Sequence, residues 1–352
     1  GIGGAMMVPV GRLVVLRLTP KKSLVSVMAT LTWPGLVAPV LGPPLGGYLT
    51  DYSGWRWIFY LNVPLGLIAC VVAIRLVPSV MLSKEYPCDW LGFILTSTGL
   101  VFFLSASELF GQAPVDWGVV GSLLIGGFCL STLAILHLQR TSSPMLDLAV
   151  LRIPTFAVTI WSGSLFRMGV SAVPFLLPRM LQIGMHYSAW QAGSMLMIVF
   201  VGNIAMKPMT TPILRRFGFK PVMLFNGIIN SITIALYAIG GSSLGSFMVY
   251  TILLLSGMTR SLQFTAFNTI AFADISKKDM SNASTLFSTA FQLALGLGVA
   301  LGAIAWRVGG FVVTDGGSLA SFHVAFSIIA LCSLLGAIGI MRLPKNVGNT
   351  IM

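Results

Sequence analysis

Long apolar runs are the feature that most restricts how this chain can fold. Ten runs of about twenty residues, each long enough to cross a hydrocarbon layer of roughly 30 Å, follow a shorter one at the start. Their approximate bounds are 1–17, 23–50, 57–77, 90–109, 118–138, 155–180, 189–213, 220–240, 246–271, 283–307 and 320–342. Lipid offers no partner to a free backbone group, and the alternating pattern of a barrel strand is absent. The sequence therefore predicts an all-α polytopic membrane protein with about eleven transmembrane helices.

The composition indicates the same class. Hydrophobic residues make up 56% of the 352 residues and charged residues 9%, whereas soluble domains average about 25% charged residues. The net charge of +12 does not indicate nucleic acid, because the cations lie at the ends of apolar runs and form no basic tract. The lipid bilayer is the predicted partner, and nucleic acid is not.

The basic residues between the runs predict the orientation. On one side the connections hold Arg17, Lys21, Lys22, Arg75, Lys84, Arg140, Arg152, Arg215, Arg216, Lys220, Lys277, Lys278, Arg342 and Lys345. The alternate connections hold Arg56, Arg179 and Arg307. Because basic loops are retained in the cytoplasm, the first side is predicted to be cytoplasmic, and so is the C-terminus.

Two long cytoplasmic connections, VPSVMLSKEYPCDW and QRTSSPMLDLAVLRIP, enclose a pair of predicted helices. Both contain proline and polar residues, which are typical of boundaries between packed bundles. The predicted divisions are a three-helix part at 1–80, a two-helix insert at 81–142, a six-helix bundle at 143–345 and a cytoplasmic tail at 346–352.

Small residues form a stripe along the second run. Its members are Gly35, Ala38, Gly42, Gly46 and Gly47, which share one helical face. Small residues at such spacings let two helices approach closely in lipid, and the prolines of the same run are tolerated there when neighbours satisfy the freed carbonyls. The pattern favours a bent, closely packed helix. Ordinary helix packing is the alternative for a glycine stripe alone.

The segment GPPLGGYLTDYSGWRWIFYLNVPLG resembles the antiporter motif of the major facilitator superfamily, in its fourteen-helix drug:proton antiporter branch of the EmrB/QacA type. The matching residues are Gly35, Gly42, Pro43, Gly46, Gly47, Trp55, Arg56, Asn62 and Pro64, and Ala38 stands where the family has glycine. GIGGAMMVPVGRL resembles the end of the family's fourth helix. The resemblance implies the major facilitator fold with family helices 4 to 14, in a chain expected to lack the first three.

The same resemblance implies a secondary active transporter that exports drugs or other amphipathic small molecules by proton antiport with alternating access. It implies no cofactor beyond the proton gradient, protons and substrates as partners, and a place in the bacterial inner membrane. It leaves a periplasmic adaptor open as a further partner. A facilitator carrier of a metabolite and a non-functional transporter remnant are the alternatives.

An enzyme is not predicted. The sequence has no Walker A motif and no nucleophile elbow, and its three histidines are too far apart to suggest a metal site.

Four cations lie inside apolar runs: Arg12, Arg167, Lys207 and Arg260. A charge near mid-bilayer costs roughly 2.5 to 3.5 kcal/mol on insertion scales, so each of them needs compensation. Snorkelling to the interface accounts for Arg12 and competes with a cavity role for Lys207. Arg167 and Arg260 lie deeper and are predicted to line a cavity.

Arg260 begins a polar and aromatic helical face. Arg260, Gln263, Phe264, Phe267 and Asn268 follow one another at i, i+3, i+4, i+7 and i+8. A cation, two amides and two rings suit a cavity for amphipathic organic molecules. A hydrogen-bonded seam between helices is the alternative. Arg167, with Ser164 and Ser171 on its face, is the second cavity candidate.

Glu108 is the acid inside an apolar run and hence the candidate for proton coupling. An interfacial or packing role is the alternative, because Glu108 lies near the outer end of its helix.

The loop PILRRFGFK resembles a second copy of the family's cytoplasmic loop motif, through Arg216, Gly218 and Lys220. Arg215 occupies the position that is usually acidic, and an ordinary positive-inside loop is the alternative.

Overall fold

The computed structural model describes residues 24–76, 89–110, 115–141, 144–239, 246–276, 279–312 and 317–344. These residues form eleven α-helices and no strand. The helices are α1 (Leu24–Tyr52), α2 (Arg56–Leu76), α3 (Trp90–Phe110), α4 (Trp117–Arg140), α5 (Pro154–Arg179), α6 (Ala189–Ala205), α7 (Lys207–Phe217), α8 (Phe219–Ile239), α9 (Ser246–Ile270), α10 (Met280–Val312) and α11 (Gly317–Gly339). Short 3-10 turns lie at Leu148–Arg152 and Ile340–Arg342, and a π-turn at Met180–Gly184 follows α5.

The helices confirm the predicted runs from 23–50 onward, whereas the run at 1–17 lies outside the described residues. One run, 189–213, is divided into α6 and α7, which meet at an angle of 50°. Pro208 lies in the first turn of α7. Because proline donates no backbone hydrogen bond and clashes with the preceding turn, the run bends there.

Seven of the described helices are long and apolar enough to cross a membrane by themselves: α2, α3, α4, α5, α8, α10 and α11. The bent pair α6–α7 makes an eighth candidate. The 25-residue α9 is not among them, since polar residues such as Arg260 and Gln263 lower its mean hydropathy. The chain is an all-α polytopic membrane protein.

The described residues divide into two compact units. The first contains residues 24–76 together with 188–197, and the second contains residues 89–187 together with 198–344. The finer division predicted from the connections stays a prediction.

In the second unit α5 is the most enclosed part of the core. It packs against α10 and α11, while α8 packs against α9 and α11. Phe156, Phe166 and Leu176 of α5 are at most 2% exposed. Large apolar side chains on the outer faces, such as Phe225 and Leu331, are exposed, as expected where lipid is the solvent.

Candidate functional site

Arg167 lies near the middle of α5 and is sealed inside the second unit. The residue is 1% exposed, and its Nε, Nη1 and Nη2 atoms have no hydrogen-bond partner. Its guanidinium carbon lies 4.8 Å from the ring centroids of both Phe287 and Phe291, and 5.9 Å from that of Phe267. Gly163 leaves the necessary space, because a Cβ there would lie 2.8 Å from Nη1. Arg167 is therefore a buried cation held by ring faces.

Arg260 lies near the middle of α9 and is half-buried. Its guanidinium carbon is 5.6 Å from the ring centroid of Phe200 and 5.7 Å from that of Phe264, and its Nε is buried without a partner. With Asn230 and Ser256 it lines a small cavity of about 10 Å³. A cavity of that size has room for roughly one water molecule, and the rest of its lining, Val170, Val173, Val199 and Ile234, is apolar.

An aromatic cluster, consisting of Phe166, Phe264, Phe267, Phe287 and Phe291, contacts both arginines. The ring centroids of Phe166 and Phe264 are 5.7 Å apart, and those of Phe264 and Phe291 are 5.9 Å apart. Phe166, Phe267 and Phe287 are buried, whereas Phe264 and Phe291 are half-buried. The cluster thus connects the enclosed guanidinium of Arg167 with a partly accessible surface.

An amide seam joins α8, α9 and α11. It consists of Asn226, Asn230, Thr259, Gln263 and Ser333. The Nδ2 of Asn226 donates to Oε1 of Gln263 and to the carbonyl of Thr259, at 2.8 Å each. The Nδ2 of Asn230 donates to Oγ of Ser333 at 3.0 Å. Sequence reasoning missed both asparagines, although two amides four residues apart inside an apolar run were a readable signal.

The residues that share a face with Arg260 have different surroundings. Gln263 belongs to the amide seam, Phe264 and Phe267 belong to the aromatic cluster, and Asn268 is exposed. A role for these residues, or for Arg167, in lining a transport cavity stays a prediction. Ser171, expected near Arg167, donates instead to the carbonyl of Leu295 at 3.0 Å.

The glycine stripe makes its closest approach in the first unit, at the end of α1. A Cβ on Gly47 would lie 2.8 Å from the carbonyl carbon of Ala189, and a Cβ on Gly193 would lie 2.8 Å from that of Pro43. The backbones of α1 and of the first turns of α6 are therefore in direct contact. A side chain at Gly47 or Gly193 would force the two helices apart.

The rest of the stripe is more open. A Cβ on Gly42 or Gly46 would meet no atom within 4 Å, and Ala38 is exposed. The surroundings of Gly35 lie outside what the structure describes. Close packing is thus observed at Gly47 and not along the whole stripe.

The second half of the motif follows a turn at Gly54, whose φ of +89° is in the left-handed region. The guanidinium carbon of Arg56 lies 4.7 Å from the ring centroid of Trp55, and the Nδ2 of Asn62 donates to the carbonyl of Ile58 at 3.0 Å. Pro64 lies inside α2.

Asp51, which the sequence did not single out, caps α6. Its Oδ2 accepts a hydrogen bond of 2.8 Å from the backbone N–H of Trp190. A carboxylate is favourable at a helix N-terminus, where backbone N–H groups are free.

The loop-motif residues have separate roles. Lys220 donates from Nζ to the carbonyls of Met341 and Leu343, at 2.8 and 2.5 Å, and so caps the end of the last helix. Gly218 ends α7 with a φ of +77°, and Arg216 is exposed.

The other predicted charges lie apart from the aromatic cluster. Glu108 is exposed near the end of α3. The Nζ of Lys207 is 3.4 Å from Oγ1 of Thr265, and Arg12 lies outside the described residues. Within the described ranges, no group of three His, Cys, Asp or Glu side chains could hold a metal ion.

Asp89 joins three segments just before α3. Its carboxylate accepts hydrogen bonds from the N–H of Gly92 at 2.8 Å, from that of Met145 at 3.3 Å, and lies 2.8 Å from Nε2 of His137. Burial by itself raises the pKa of this carboxyl. The hydrogen bonds with Gly92, His137 and Met145 lower it by more than burial raises it, so the net pKa is below its usual value.

Comparison with known proteins agrees with this architecture. The model of the Major Facilitator Superfamily matches residues 1–299. The "Putative multidrug resistance protein MdtD" of Salmonella heidelberg (strain SL476) is 32% identical over 98% of this chain and 74% of its own length. The protein of the same name from Serratia proteamaculans (strain 568) is 30% identical over 98% of this chain and 73% of its own. With its all-α membrane architecture and a family match over most of its length, the chain belongs to the major facilitator superfamily of transporters.

Proposed function

We propose that this protein exports amphipathic small molecules, drugs among them, in exchange for protons. It does so from the bacterial inner membrane, with its C-terminus in the cytoplasm and by alternating access. One observation carries the proposal. Two cations and five aromatic rings lie together inside a unit whose outer faces are apolar. Rings that stack and a few polar groups that orient are the features of sites for amphipathic ligands.

Two further observations support export. The segment around Gly47 resembles the antiporter motif, and relatives over nearly the whole chain carry a multidrug resistance name. The close contact of Gly47 with the start of α6 is also consistent with a helix that packs tightly in one state of a transport cycle.

Proton exchange requires a group that takes up and releases protons. Of the nine acidic residues in the chain, Glu108 is the one inside an apolar run away from the loops. We therefore assign Glu108 as the first coupling residue to test, through Glu108→Gln.

Transport into inverted membrane vesicles tests the proposal, with fluorescent cationic, neutral and anionic amphipaths as substrates. When the vesicle interior is acidified, at least one compound should accumulate several-fold over vesicles without the protein. Collapse of the pH gradient should abolish accumulation. If Glu108 couples protons, Glu108→Gln should abolish accumulation driven by the gradient.

Two results would contradict proton antiport. Equilibration that ignores the pH gradient would indicate a facilitator carrier, and the absence of transport for every compound would indicate a remnant. Accumulation that survives Glu108→Gln would remove that residue from coupling and leave the antiport itself intact.

A further inference from the structure

Arg167 has an unmet requirement for a hydrogen-bond acceptor. A guanidinium carries five N–H donors and keeps its charge in proteins. Here it is 1% exposed, and none of its three nitrogens has a partner. A buried charge without a partner is strongly unfavourable, so native proteins pair such groups or bring a counter-charge to them.

The ring contacts meet this requirement in part. Phe267, Phe287 and Phe291 attract the positive charge through their faces. A ring face accepts at most a weak N–H contact, however, which does not replace a bond to oxygen. The hydrogen-bonding capacity of the guanidinium therefore remains available.

Several carboxylates of the described residues are engaged elsewhere. Asp274 accepts from the hydroxyl of Thr155 at 2.8 Å, and Asp89 bonds with His137. No carboxylate of the described residues lies within 4.0 Å of the guanidinium of Arg167. No described side chain supplies an acceptor to Arg167, so the site is open to one from a bound molecule.

The surroundings define the chemistry of that molecule. The planar fork of arginine matches a carboxylate, which accepts two parallel hydrogen bonds from it. The neighbouring surface is aromatic and is accessible at Phe264 and Phe291, which are half-buried. A ligand that satisfies both features has a carboxylate at one end and an apolar, preferably planar, body.

We propose that Arg167 binds the carboxylate of an amphipathic organic anion, whose apolar body packs against Phe291 and Phe264, the accessible rings of the aromatic cluster. This inference rests on the proposed export function and names a substrate class for it. The guanidinium holds and orients the anion, and the rings exclude water from the bond between them.

The proposal is tested by binding, without a gradient, to the complete protein purified in detergent. The probes are 2-naphthoate, its uncharged isostere 2-naphthamide, and chloride, all at one ionic strength. Naphthoate should raise the midpoint of thermal unfolding in a saturable manner. Naphthamide should not do so, because it lacks the charge, and chloride should not, because it lacks the apolar body.

Variants then assign the effect to the guanidinium. Arg167→Met keeps the volume but removes the donors, and its affinity for naphthoate should fall by at least about tenfold, the equivalent of one strong charge-assisted hydrogen bond. Arg167→Lys keeps the charge without the fork and should bind with intermediate affinity. Arg179→Met is the matched control. Arg179 lies on the same helix and contacts the rings of Phe175 and Trp306, but it is exposed, and its removal should leave binding unchanged.

The stability of the unliganded variant separates binding from a structural role. Because a buried charge without an acceptor is unfavourable, Arg167→Met should unfold at a midpoint no lower than the wild type. A large drop, with the naphthoate effect retained, would show that Arg167 only supports the fold. If the Arg167→Met protein cannot be produced in folded form, Arg167→Lys is compared with the wild type instead.

Three results would overturn the proposal: equal naphthoate affinity in Arg167→Met, equal binding of naphthamide, or an equal effect of chloride. None of them depends on transport. Naphthoate binding that requires Arg167 would stand if vesicles showed no proton-driven export, and export of cations alone, with no naphthoate binding, would refute this inference but not the proposed function.

Discussion

At the scale of single residues, the lowered pKa of Asp89 predicts how the stability of the fold depends on pH. Its folded pKa is lowered, so its contribution to stability is complete above the pKa of an unfolded aspartate, about 3.9, and is lost as the pH falls through the lower folded value. Asp89→Asn keeps an N-cap for α3 but loses the charge-assisted bonds. It should cost about 1 to 2 kcal/mol at pH 7. Thermal unfolding in detergent should show a difference from wild type that is constant above about pH 5 and shrinks as the pH falls below the unfolded pKa of about 3.9.

Asp116→Asn is the matched control for this prediction. Asp116 also caps a helix, with its Oδ1 accepting from Gly118 and Val119, but it is exposed and has no histidine beside it. Its replacement should change stability less than that of Asp89. A gap between wild type and Asp89→Asn that stays constant as the pH falls well below about 3.9 would show that the carboxylate charge adds nothing.

The sequence identified Arg167 and Arg260 because a charge inside an apolar run is conspicuous without any knowledge of the fold. It did not identify their surroundings. Phe287 and Phe291 lie more than a hundred residues from Arg167, and their contact depends on which helices meet. The same holds for Asp51 and Trp190, which are 139 residues apart. Gln263 and Phe264 are neighbours in sequence but face different partners, which a helical projection does not reveal.

At the scale of helices, the approach of α1 and α6 makes a prediction about two adjacent glycines. Gly47→Leu places a side chain against the backbone of Ala189, which cannot move aside as a side chain would. It should cost about 1 to 3 kcal/mol, lower the unfolding midpoint and reduce transport. Gly46→Leu, with no atom within 4 Å of the new Cβ, should fold as the wild type does.

Gly47→Ala adds the Cβ alone and should be intermediate between wild type and Gly47→Leu. Equal unfolding midpoints for Gly46→Leu and Gly47→Leu would mean that the contact with Ala189 contributes nothing to packing. That comparison requires no transport substrate, so it can be made before one is known.

Helices as such were readable from the sequence, because the length and apolarity of a run are enough to require a helix in lipid. Their bends were readable only in part. Pro208 marks the break between α6 and α7, but the angle of 50° depends on how each half packs. The close contact of the glycine stripe at Gly47 rather than at Gly46 depends in the same way on the rotation of α1 relative to its neighbour.

At the scale of the whole molecule, the excess of basic residues in alternate connections predicts the membrane topology. That topology requires a particular number of membrane crossings between any two connections. Helix α9 decides the count in the second unit, because it holds Arg260 near its middle and is not apolar enough to count as a membrane span by itself. If α9 crosses, the ends of α7 and α10 that flank α8 and α9 lie on the same side. If it does not, they lie on opposite sides.

Cysteine labelling measures this directly, in a background without native cysteines. Phe217→Cys and Met280→Cys, at positions 60% and 39% exposed, should react with a membrane-impermeant maleimide only after permeabilisation. Asp116→Cys and Tyr187→Cys should react in intact spheroplasts, because their connections belong to the side with few basic residues. Phe217→Cys and Met280→Cys on opposite sides would mean that α9 does not cross. Arg260 would then lack the lipid-shielded setting on which its role in the proposed substrate site depends.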